Sequence, residues 1–461
     1  MLTREQLEAQ DKDALIEIIL EQSARIAQLE ARLLGLERRL NQNSKNSSKP
    51  PSQDSPFTPK ASKPAAGRKS GGQPGHEGEG LRKVDTPDRL VLHLPDCCSH
   101  CGADLSAQPS LPAGDWQVFD LPADLRLVVT EHRRQRRVCP GCQQESLAAL
   151  PDWLSQSTPC QYGPRCRALG VYLMSQQHLP FERTQALFSD LFGSAPSEGT
   201  LWNWQQQTYE ALAPVEAAIA EALVESPLAG ADETPARGIG WVHVFCNAAW
   251  TWYGAHRKRG REAMESFGLL PRFGGVLMTD CLSSYDRYGS VRALCNGHLL
   301  RELRAVEEAG HGWASWLARL LLGVKERVEA SGAPLARSAL GSVQGWFGRC
   351  LAQAERENAH SFVEQSSRLM RRLQARRDEY LRFATEAGVW FDNNVSERAL
   401  RMVKLHVKIS GCFRSLLGGQ ILCRVRGYLS TMKKQGQALF GALVSVMEKR
   451  PLLPPLLQSN N

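Results

Sequence analysis

A segment of forty residues near the amino terminus constrains the architecture of this chain most strongly. Residues 41–80 read NQNSKNSSKPPSQDSPFTPKASKPAAGRKSGGQPGHEGEG and contain almost no side chain that a core could bury. Such a composition gains too little from burial to offset the entropy of ordering the backbone. We therefore predict a disordered linker, bounded at residues 43–86, and a multidomain chain.

A heptad repeat precedes this linker. Two interleaved series are each spaced by seven residues: Ile19, Ile26, Leu33 and Leu40, and Leu15, Gln22, Leu29 and Leu36. β-Branched residues in one series and Leu in the other favour a parallel two-stranded coiled coil. We predict a zipper over residues 1–42 that joins copies of the chain into a homodimer or higher oligomer. An amphipathic helix docked on its own chain is the alternative.

Two cysteine pairs, CSHC and CPGC, follow the linker. Each pair places two thiols at a tight turn, and two such turns supply the four sulfurs of a closed tetrahedral Zn²⁺ site. The predicted ligands are Cys98, Cys101, Cys139 and Cys142, with Cys97 and His100 as adjacent spare donors. A redox role for CxxC is the alternative, although redox motifs occur singly beside a helix.

Short runs of β-forming residues surround these cysteines. RLVLHL, DWQVFDL and LRLVVTEHRRQRRV predict strands, and hence a small β-rich zinc-binding domain over residues 87–150. A structural Zn²⁺ would stabilise a domain of this size.

Residues 151–224 are predicted to be helical. PFERTQALFSDLFG and LWNWQQQTYEAL flank SAPSEGT, in which Ser197 or Thr200 would cap the second helix. The pattern is that of a DNA-binding helix-turn-helix, but any pair of antiparallel helices produces it.

An α/β pattern begins near residue 225. The strand-like segments ADET, WVHVFCN, WTWYGAH, GGVLMTD and VRALCN alternate with the helix-like REAMESFGLL and HLLRELRAVEEAG. This alternation predicts an α/β core over residues 225–310. Residues 311–385 are helical and rich in Arg, which predicts a helical insertion, and the core resumes over residues 386–410.

Three acids occupy positions suited to metal-dependent chemistry. Asp232 and Asp280 are placed at the ends of strands, and Glu397 lies in the first turn of a helix announced by the capping run DNN. If these ends converge, the carboxylates could hold two Mg²⁺ about 3.5–4 Å apart, which is the arrangement that hydrolyses phosphodiesters. Glu233 and Asp286 are neighbouring acids that spacing does not exclude, and solvated loop acids are the alternative.

The helix with Glu397 carries a basic stripe. Arg401, Lys404 and Lys408 follow Glu397 at i+4, i+7 and i+11, so all four share one face. No Asp or Glu interrupts the cations that run from Arg398 to Lys434: Arg398, Arg401, Lys404, Lys408, Arg414, Arg424, Arg426, Lys433 and Lys434. We predict that they contact nucleic acid, and that residues 411–461 form a basic carboxy-terminal tail. The alternative is a docking face for the insertion or for the zipper of a second chain.

Composition bears on location. The formal charge is +8, no apolar run approaches the ~18 residues of a membrane span, and the start MLTREQLEAQDKDALIE is too acidic for a signal peptide. We expect a cytoplasmic protein without membrane contact, associated with the nucleoid when bound to DNA. Disulfides are then not expected among its 13 Cys.

Taken together, these motifs resemble a known family. The zipper, the NSSKPPS and GGQPGHEG linker and the paired cysteines precede ADET, TDCLSSYD, CNGHLLREL, DNNVSERALR, KISGCFRS and YLSTMKKQG in that order. This arrangement resembles the transposases of insertion-sequence family sixty-six over nearly the whole chain. The resemblance implies an Asp-Asp-Glu transposase with an RNase H-like core, in which Asp232, Asp280 and Glu397 bind Mg²⁺ or Mn²⁺ and Cys98, Cys101, Cys139 and Cys142 bind structural Zn²⁺.

The resemblance also implies a reaction and partners. The enzyme would cleave at an element end and free a 3′-hydroxyl, which attacks target DNA. Its partners would be double-stranded DNA, as terminal inverted repeats and as target, with accessory transposition proteins as further candidates. The chain departs from the family pattern at His298 and Arg301, where many members have an aromatic, basic run, so the resemblance assigns these two residues no role.

Two other classes stay open. One is a non-catalytic DNA-binding protein that combines the zipper, the zinc domain and the helix-turn-helix. The other is a host nuclease of RNase H type, which would cut DNA without needing terminal repeats.

Overall fold

The computed structural model describes residues 11–41 and 81–458. Most of the predicted linker lies outside these residues. The part from residue 81 onwards divides into a larger compact unit, which holds residues 132–189 and 194–458, and a smaller one, which holds residues 81–131 and 190–193. No described helix is long and apolar enough to cross a bilayer.

Helix α1 (Lys12–Asn41) covers the heptad repeat, so the helix that the repeat predicts is present. Several of its apolar side chains are more than half exposed, among them Ile19, Ile26, Leu29 and Leu33. The pairing of two such helices stays a prediction.

Residues 87–150 contain fewer strands than the sequence predicts. The described structure has one hairpin here, β1 (Arg136–Val138) with β2 (Glu145–Leu147). The predicted strands further upstream are absent, and their apolar residues Leu90, Trp116 and Val129 are 77, 85 and 90% exposed. The β-rich character predicted for this domain is therefore not found. Alternating side chains show that a segment can be a strand, but a strand also needs a neighbour to take its backbone hydrogen bonds.

The helices expected within residues 151–224 are present. They are α2 (Pro164–Val171), a π-helical turn (Tyr172–Gln176), α3 (Phe181–Phe192), α4 (Glu198–Ala211) and α5 (Ala213–Val224). Ser197 is the residue that caps α4, since its Oγ accepts the backbone N–H of Thr200 at 3.1 Å. Helices α2 and α4 approach closely, because a Cβ on Gly170 would lie 2.8 Å from the ring of Trp204.

The core is a five-stranded mixed sheet with the order β5-β4-β3-β6-β7. Its strands are β3 (Leu228–Ala236), β4 (Gly240–Cys246), β5 (Thr251–His256), β6 (Val276–Thr279) and β7 (Val291–Leu294). Strands β3, β4 and β5 are antiparallel neighbours, whereas β6 and β7 run parallel to β3. Strands β4 to β7 overlap the segments that the sequence predicts, and β3 extends beyond ADET to Ala236.

Along the chain, a helix lies on either side of the strand pair β6 and β7. Helix α6 (Arg261–Phe267) precedes β6, and α7 (Asn296–Glu308) follows β7. The predicted insertion is helical: α8 (Trp313–Ser331), α9 (Arg337–His360), α10 (Glu364–Tyr380) and α11 (Arg382–Thr385). Trp313, Leu317, Phe347 and Leu373 are fully buried in it, in a hydrophobic cluster that continues to Leu299 of α7.

The carboxy-terminal segment is part of the core. Helix α12 (Asn394–Ser410) packs on β3 and β4, and α13 (Leu416–Lys434) packs on β5. Helices α14 (Leu439–Met447) and α15 (Pro455–Gln458) follow. Residues 411–461 were predicted to be a basic tail, but α13 buries Ile421, Val425 and Leu429 completely. The prediction relied on charge alone, whereas the apolar residues between the cations direct this helix onto the sheet.

Candidate active site

The two aspartates lie at the same level of adjacent parallel strands. Gly230 of β3 pairs with Met278 of β6, so Asp232 and Asp280 each follow the last paired position by two residues. Because side chains alternate along a strand, both aspartates face the same side of the sheet as that last pair. Asp232 itself lies within β3, which continues in antiparallel pairing with β4 after it leaves β6. The sequence predicts that Asp232 lies at the end of a strand. This is correct for the part of β3 that pairs with β6, but β3 itself continues to Ala236.

Helix α12 brings Glu397 to this side of the sheet. Buried Asn393 donates from Nδ2 to the carbonyl oxygen of Ala231 at 2.9 Å, which ties the start of α12 to the residue before Asp232. Gly230 permits this approach, because a Cβ there would lie 2.4 Å from Asn393 Oδ1 and 2.5 Å from Ser396 Oγ. Glu397 is in the first turn of the helix that this contact positions.

The electrostatics show that the three carboxyls interact. Burial raises the pKa of Asp232 well above its ordinary value, and the nearby negative charges of Glu233, Asp280 and Glu397 raise it further. A divalent cation is the ligand that would relieve such a concentration of carboxylates, so the residues present fit Mg²⁺ or Mn²⁺. The carboxylate oxygens of Asp232, Asp280 and Glu397 do not all lie within 4.8 Å of one another.

The neighbouring acids have other partners. Glu233 points to the opposite face of the sheet, where its carboxylate accepts hydrogen bonds from Arg259 (2.8 Å) and the hydroxyl of Tyr285 (2.6 Å). Asp286 forms ion pairs with Arg292 at 2.6 Å and Arg376 at 3.0 Å. The geometry therefore favours Asp232 and Asp280 over the two acids that spacing alone left open.

Two residues without an assigned role lie against Glu397. The guanidinium of Arg301 is 3.5 Å from Glu397 Oε1, and Nδ1 of His298 is 3.7 Å from the same atom. Both belong to α7, one turn apart. Their spacing of three residues was the sequence signal that the two side chains share one face of a helix. Spacing within α7 could not reveal that the opposing group comes from α12.

The predicted basic surface separates into two groups. Arg401, Lys408 and Arg414 are exposed, Lys404 is half-buried, and within the described chain these four form no ion pair. Three of the four cations of α13, Arg424, Arg426 and Lys434, instead contact protein groups, whereas Lys433 is exposed. Arg424 pairs with Glu216 of α5 at 2.6 Å, and Lys434 donates to the carbonyl oxygens of Asn247 and Trp250. Nucleic-acid contact is therefore not supported for these α13 residues.

The two cysteine turns have the same pattern of backbone hydrogen bonds. In the smaller unit, the N–H of Cys98 donates to the carbonyl of Ala103 and the N–H of Gly102 donates to that of Cys98. In the larger unit, Cys139 bonds in the same way with Gln144 and Gln143. Gly102 and Gln143 occupy equivalent positions and both have a positive φ, at 76° and 56°.

The backbone of each turn favours the thiolate form of its first cysteine. Backbone N–H groups of His100 and Cys101 lower the pKa of Cys98, and those of Cys142 and Gly141 lower the pKa of Cys139. Hydrogen bonds to sulfur favour the charged form, which is the form that binds Zn²⁺. The residues of each turn thus fit their predicted role as metal ligands.

We expect the purified chain to lose one tightly held Zn²⁺ when Cys139 is changed to Ser, because a closed site needs all four thiolates. Zinc content after dialysis is the measurement, and Cys160→Ser, at an exposed cysteine outside both turns, is the control. An unchanged zinc content in the Cys139→Ser variant would remove this residue from the site.

These observations define an α/β core with a helical insertion and three interacting carboxyls at one edge of its sheet. A family model described as "Transposase IS66 family" matches residues 159–421, more than half of the chain. The chain belongs to this family, and the resemblance identified from its motifs is confirmed. Family membership supports a transposase role and implies DNA binding.

The match has a defined extent. It includes the five-stranded sheet, the insertion and all three acids, but not the cysteine pairs. A second model, for a family of unknown function, matches residues 3–82. A comparison with curated proteins gives no match.

Proposed function

We propose that this chain is an Asp-Asp-Glu transposase with an RNase H-like core, which cleaves DNA at the ends of its own insertion sequence and joins the freed ends to target DNA. The observation that carries the proposal is the equivalent register of Asp232 and Asp280 on adjacent parallel strands, with Glu397 brought to the same side by the bond from Asn393 to Ala231. The mixed sheet and its flanking helices are consistent with an RNase H-like core.

The three carboxylates would bind Mg²⁺ or Mn²⁺. When bound, the cations activate the attacking oxygen and stabilise the leaving oxygen of a phosphodiester. Asp232 lies in β3 and Asp280 directly follows β6, and both are interior strands of the sheet. Glu397 depends on α12, so its position follows the contact of Asn393 with β3.

The protein groups around this edge suit the substrate. Arg401, Lys404 and Lys408 continue from Glu397 along α12, so a DNA backbone that reaches the carboxylates would meet cations on the same helix. The first reaction is hydrolysis, in which water attacks the phosphorus and a 3′-hydroxyl leaves. The second is transesterification, in which that hydroxyl attacks a phosphorus of target DNA and a target 3′-oxygen leaves, so no net phosphodiester bond is lost.

A cleavage assay tests the proposal. The full chain should cut duplexes that carry the inverted repeats flanking its gene, in the presence of Mg²⁺, at the junction of repeat and flank. Duplexes with scrambled repeats are the control. Binding without cutting would support a non-catalytic DNA-binding protein, and equal cutting of both duplexes would support a host nuclease; either result would overturn the proposal.

We also propose that α1 pairs with α1 of a second copy. The residues Ile19, Ile26, Leu29 and Leu33 are exposed along its length, and a parallel dimer would bury them. Changing Ile19 and Ile26 to Lys should convert the dimer into a monomer, because each Lys would place a charge in the seam. Sedimentation equilibrium is the measurement, and Glu17→Lys with Glu21→Lys, at exposed positions outside the heptad series, is the control. A double Ile variant that remains dimeric would contradict the zipper.

A further inference from the structure

A mixed cluster of metal donors lies beside the three carboxyls. Sγ of Cys295, a ring nitrogen of His298 and a carboxylate oxygen of Glu397 all lie within 4.8 Å of one another. In the part of the chain that the structure describes, they are the one set of three such side chains that meets this distance. Cys295 caps the amino terminus of α7 and His298 lies in its first turn, whereas Glu397 comes from α12.

The sulfur of Cys295 is held in place by a backbone hydrogen bond. It is buried, and it accepts the backbone N–H of Asn393 at 3.2 Å. Burial raises the pKa of this thiol to about 12, and the backbone N–H groups of Asn393 and His298 lower it by less. Backbone N–H groups likewise lower the pKa of Cys98 and Cys139. Such bonds orient a ligand and stabilise its thiolate once a cation is bound.

The imidazole of His298 has an unused donor atom. Its Nδ1 is buried and has no hydrogen-bond partner, which is unusual for a buried polar atom. The nearest acidic oxygen is Glu397 Oε1 at 3.7 Å, beyond hydrogen-bond distance. A cation between Cys295, His298 and Glu397 would satisfy this nitrogen.

We propose that Cys295, His298 and Glu397 form a Zn²⁺ site. Thiolate, imidazole and carboxylate are the ligands that Zn²⁺ takes in proteins, whereas Mg²⁺ prefers oxygen alone. Three protein ligands leave the fourth position of a tetrahedral ion to water. The site shares no donor with the paired cysteines, and it shares only Glu397 with the three carboxyls.

The site has a consequence for activity, which rests on the proposed function. Glu397 belongs both to this cluster and to the three carboxyls, so its carboxylate is shared between the two. Zn²⁺ held by Cys295 and His298 would draw Glu397 towards α7 and away from Asp232 and Asp280. Zn²⁺ would therefore inhibit cleavage that depends on Mg²⁺.

Zinc binding tests the site without any assay of activity. The full chain, titrated with Zn²⁺ alone, should bind two ions, one at the paired cysteines and one here. Cys295→Ser and His298→Ala should each reduce the number to one. Ser is a favoured capping residue, so the first substitution keeps the start of α7 intact. Cys350→Ser, at a buried cysteine of α9, is the matched control and should still bind two ions.

A second readout identifies the ligand. With Co²⁺ in place of Zn²⁺ in a Cys139→Ser background, which lacks the paired-cysteine site, a thiolate-to-cobalt absorption band should remain and should disappear on adding Cys295→Ser. Equal stoichiometry in the wild type and Cys295→Ser, or a band that does not depend on Cys295, would overturn the site.

A separate experiment tests whether Zn²⁺ competes with Mg²⁺ for Glu397. In Mg²⁺ buffer, micromolar Zn²⁺ should inhibit cleavage by the wild type and should inhibit the Cys295→Ser variant at least about tenfold less, since a thiolate ligand is lost. Equal inhibition of both proteins would overturn the competition. If the chain cleaves no DNA at all, the proposed function fails, but the binding measurements still decide whether the zinc site exists.

Discussion

Cleavage by the Asp280→Asn variant is expected to fall by about a thousandfold or more, with little loss of DNA binding. Bound divalent cations contribute several kcal/mol to the stabilisation of a phosphodiester transition state, and ~4 kcal/mol corresponds to a factor of about a thousand in rate. Asn keeps the size of Asp but removes the charge that holds the cation. Asp232→Asn and Glu397→Gln should show the same loss. Single-turnover cleavage of an end duplex, beside its equilibrium binding, is the measurement.

Asp286→Asn is the matched control for this experiment. It removes an equally charged side chain six residues further on, but Asp286 is paired with Arg292 and Arg376 and is not among the main causes of the raised pKa of Asp232. We expect this variant to retain cleavage. If cleavage survived in Asp280→Asn, or disappeared equally in Asp286→Asn, the assignment of Asp280 would be wrong.

Replacing Arg401, Lys404 and Lys408 together by Gln should weaken binding to any DNA and flatten its dependence on salt. Each cation that neutralises a phosphate contributes about −0.9 to the slope of log K against log salt, so three should change the slope by roughly 2–3. The preference between sequences should change little, because phosphate contacts carry no base information. Affinity measured over a salt series, with a melting curve, gives both quantities.

The control removes the same number of charges elsewhere. Arg304 of α7 and Arg368 of α10 are exposed, Arg377 of α10 is half-buried, and each is paired with an acid on its own helix. Their replacement by Gln should leave the slope close to that of the wild type. A triple α12 variant with an unchanged slope but a lower melting temperature would indicate that this face docks on protein.

Arg424 illustrates the limit of charge patterns. The sequence shows a cation without a nearby acid, but its partner Glu216 lies 208 positions away in α5, and Tyr209 of α4 lies under the guanidinium at 3.7 Å. We expected the α13 cations to contact DNA because no acid interrupts them along the chain. Counter-charges supplied by another element are invisible to such a count.

The sequence by itself determined the features that depend on neighbours within one turn or one strand. Heptad spacing is sufficient for helix α1, CxxC spacing for the two turns with their N–H bonds to sulfur, and apolar runs for β4 to β7. Asp232, Asp280 and Glu397 could be named because the ordered motifs resemble one family. None of this required knowledge of which elements pack together.

Only the tertiary structure decided which groups meet across elements. It placed Asp232 level with Asp280, turned Glu233 to the opposite face of the sheet, and brought His298 and Arg301 of α7 against Glu397 of α12. It also left the segments around Trp116 without partner strands and placed Arg424, Arg426 and Lys434 of α13 against protein groups. The physical reason is that burial and ion pairing depend on groups from distant parts of the chain, whereas a periodic pattern records only the environment that one segment prefers.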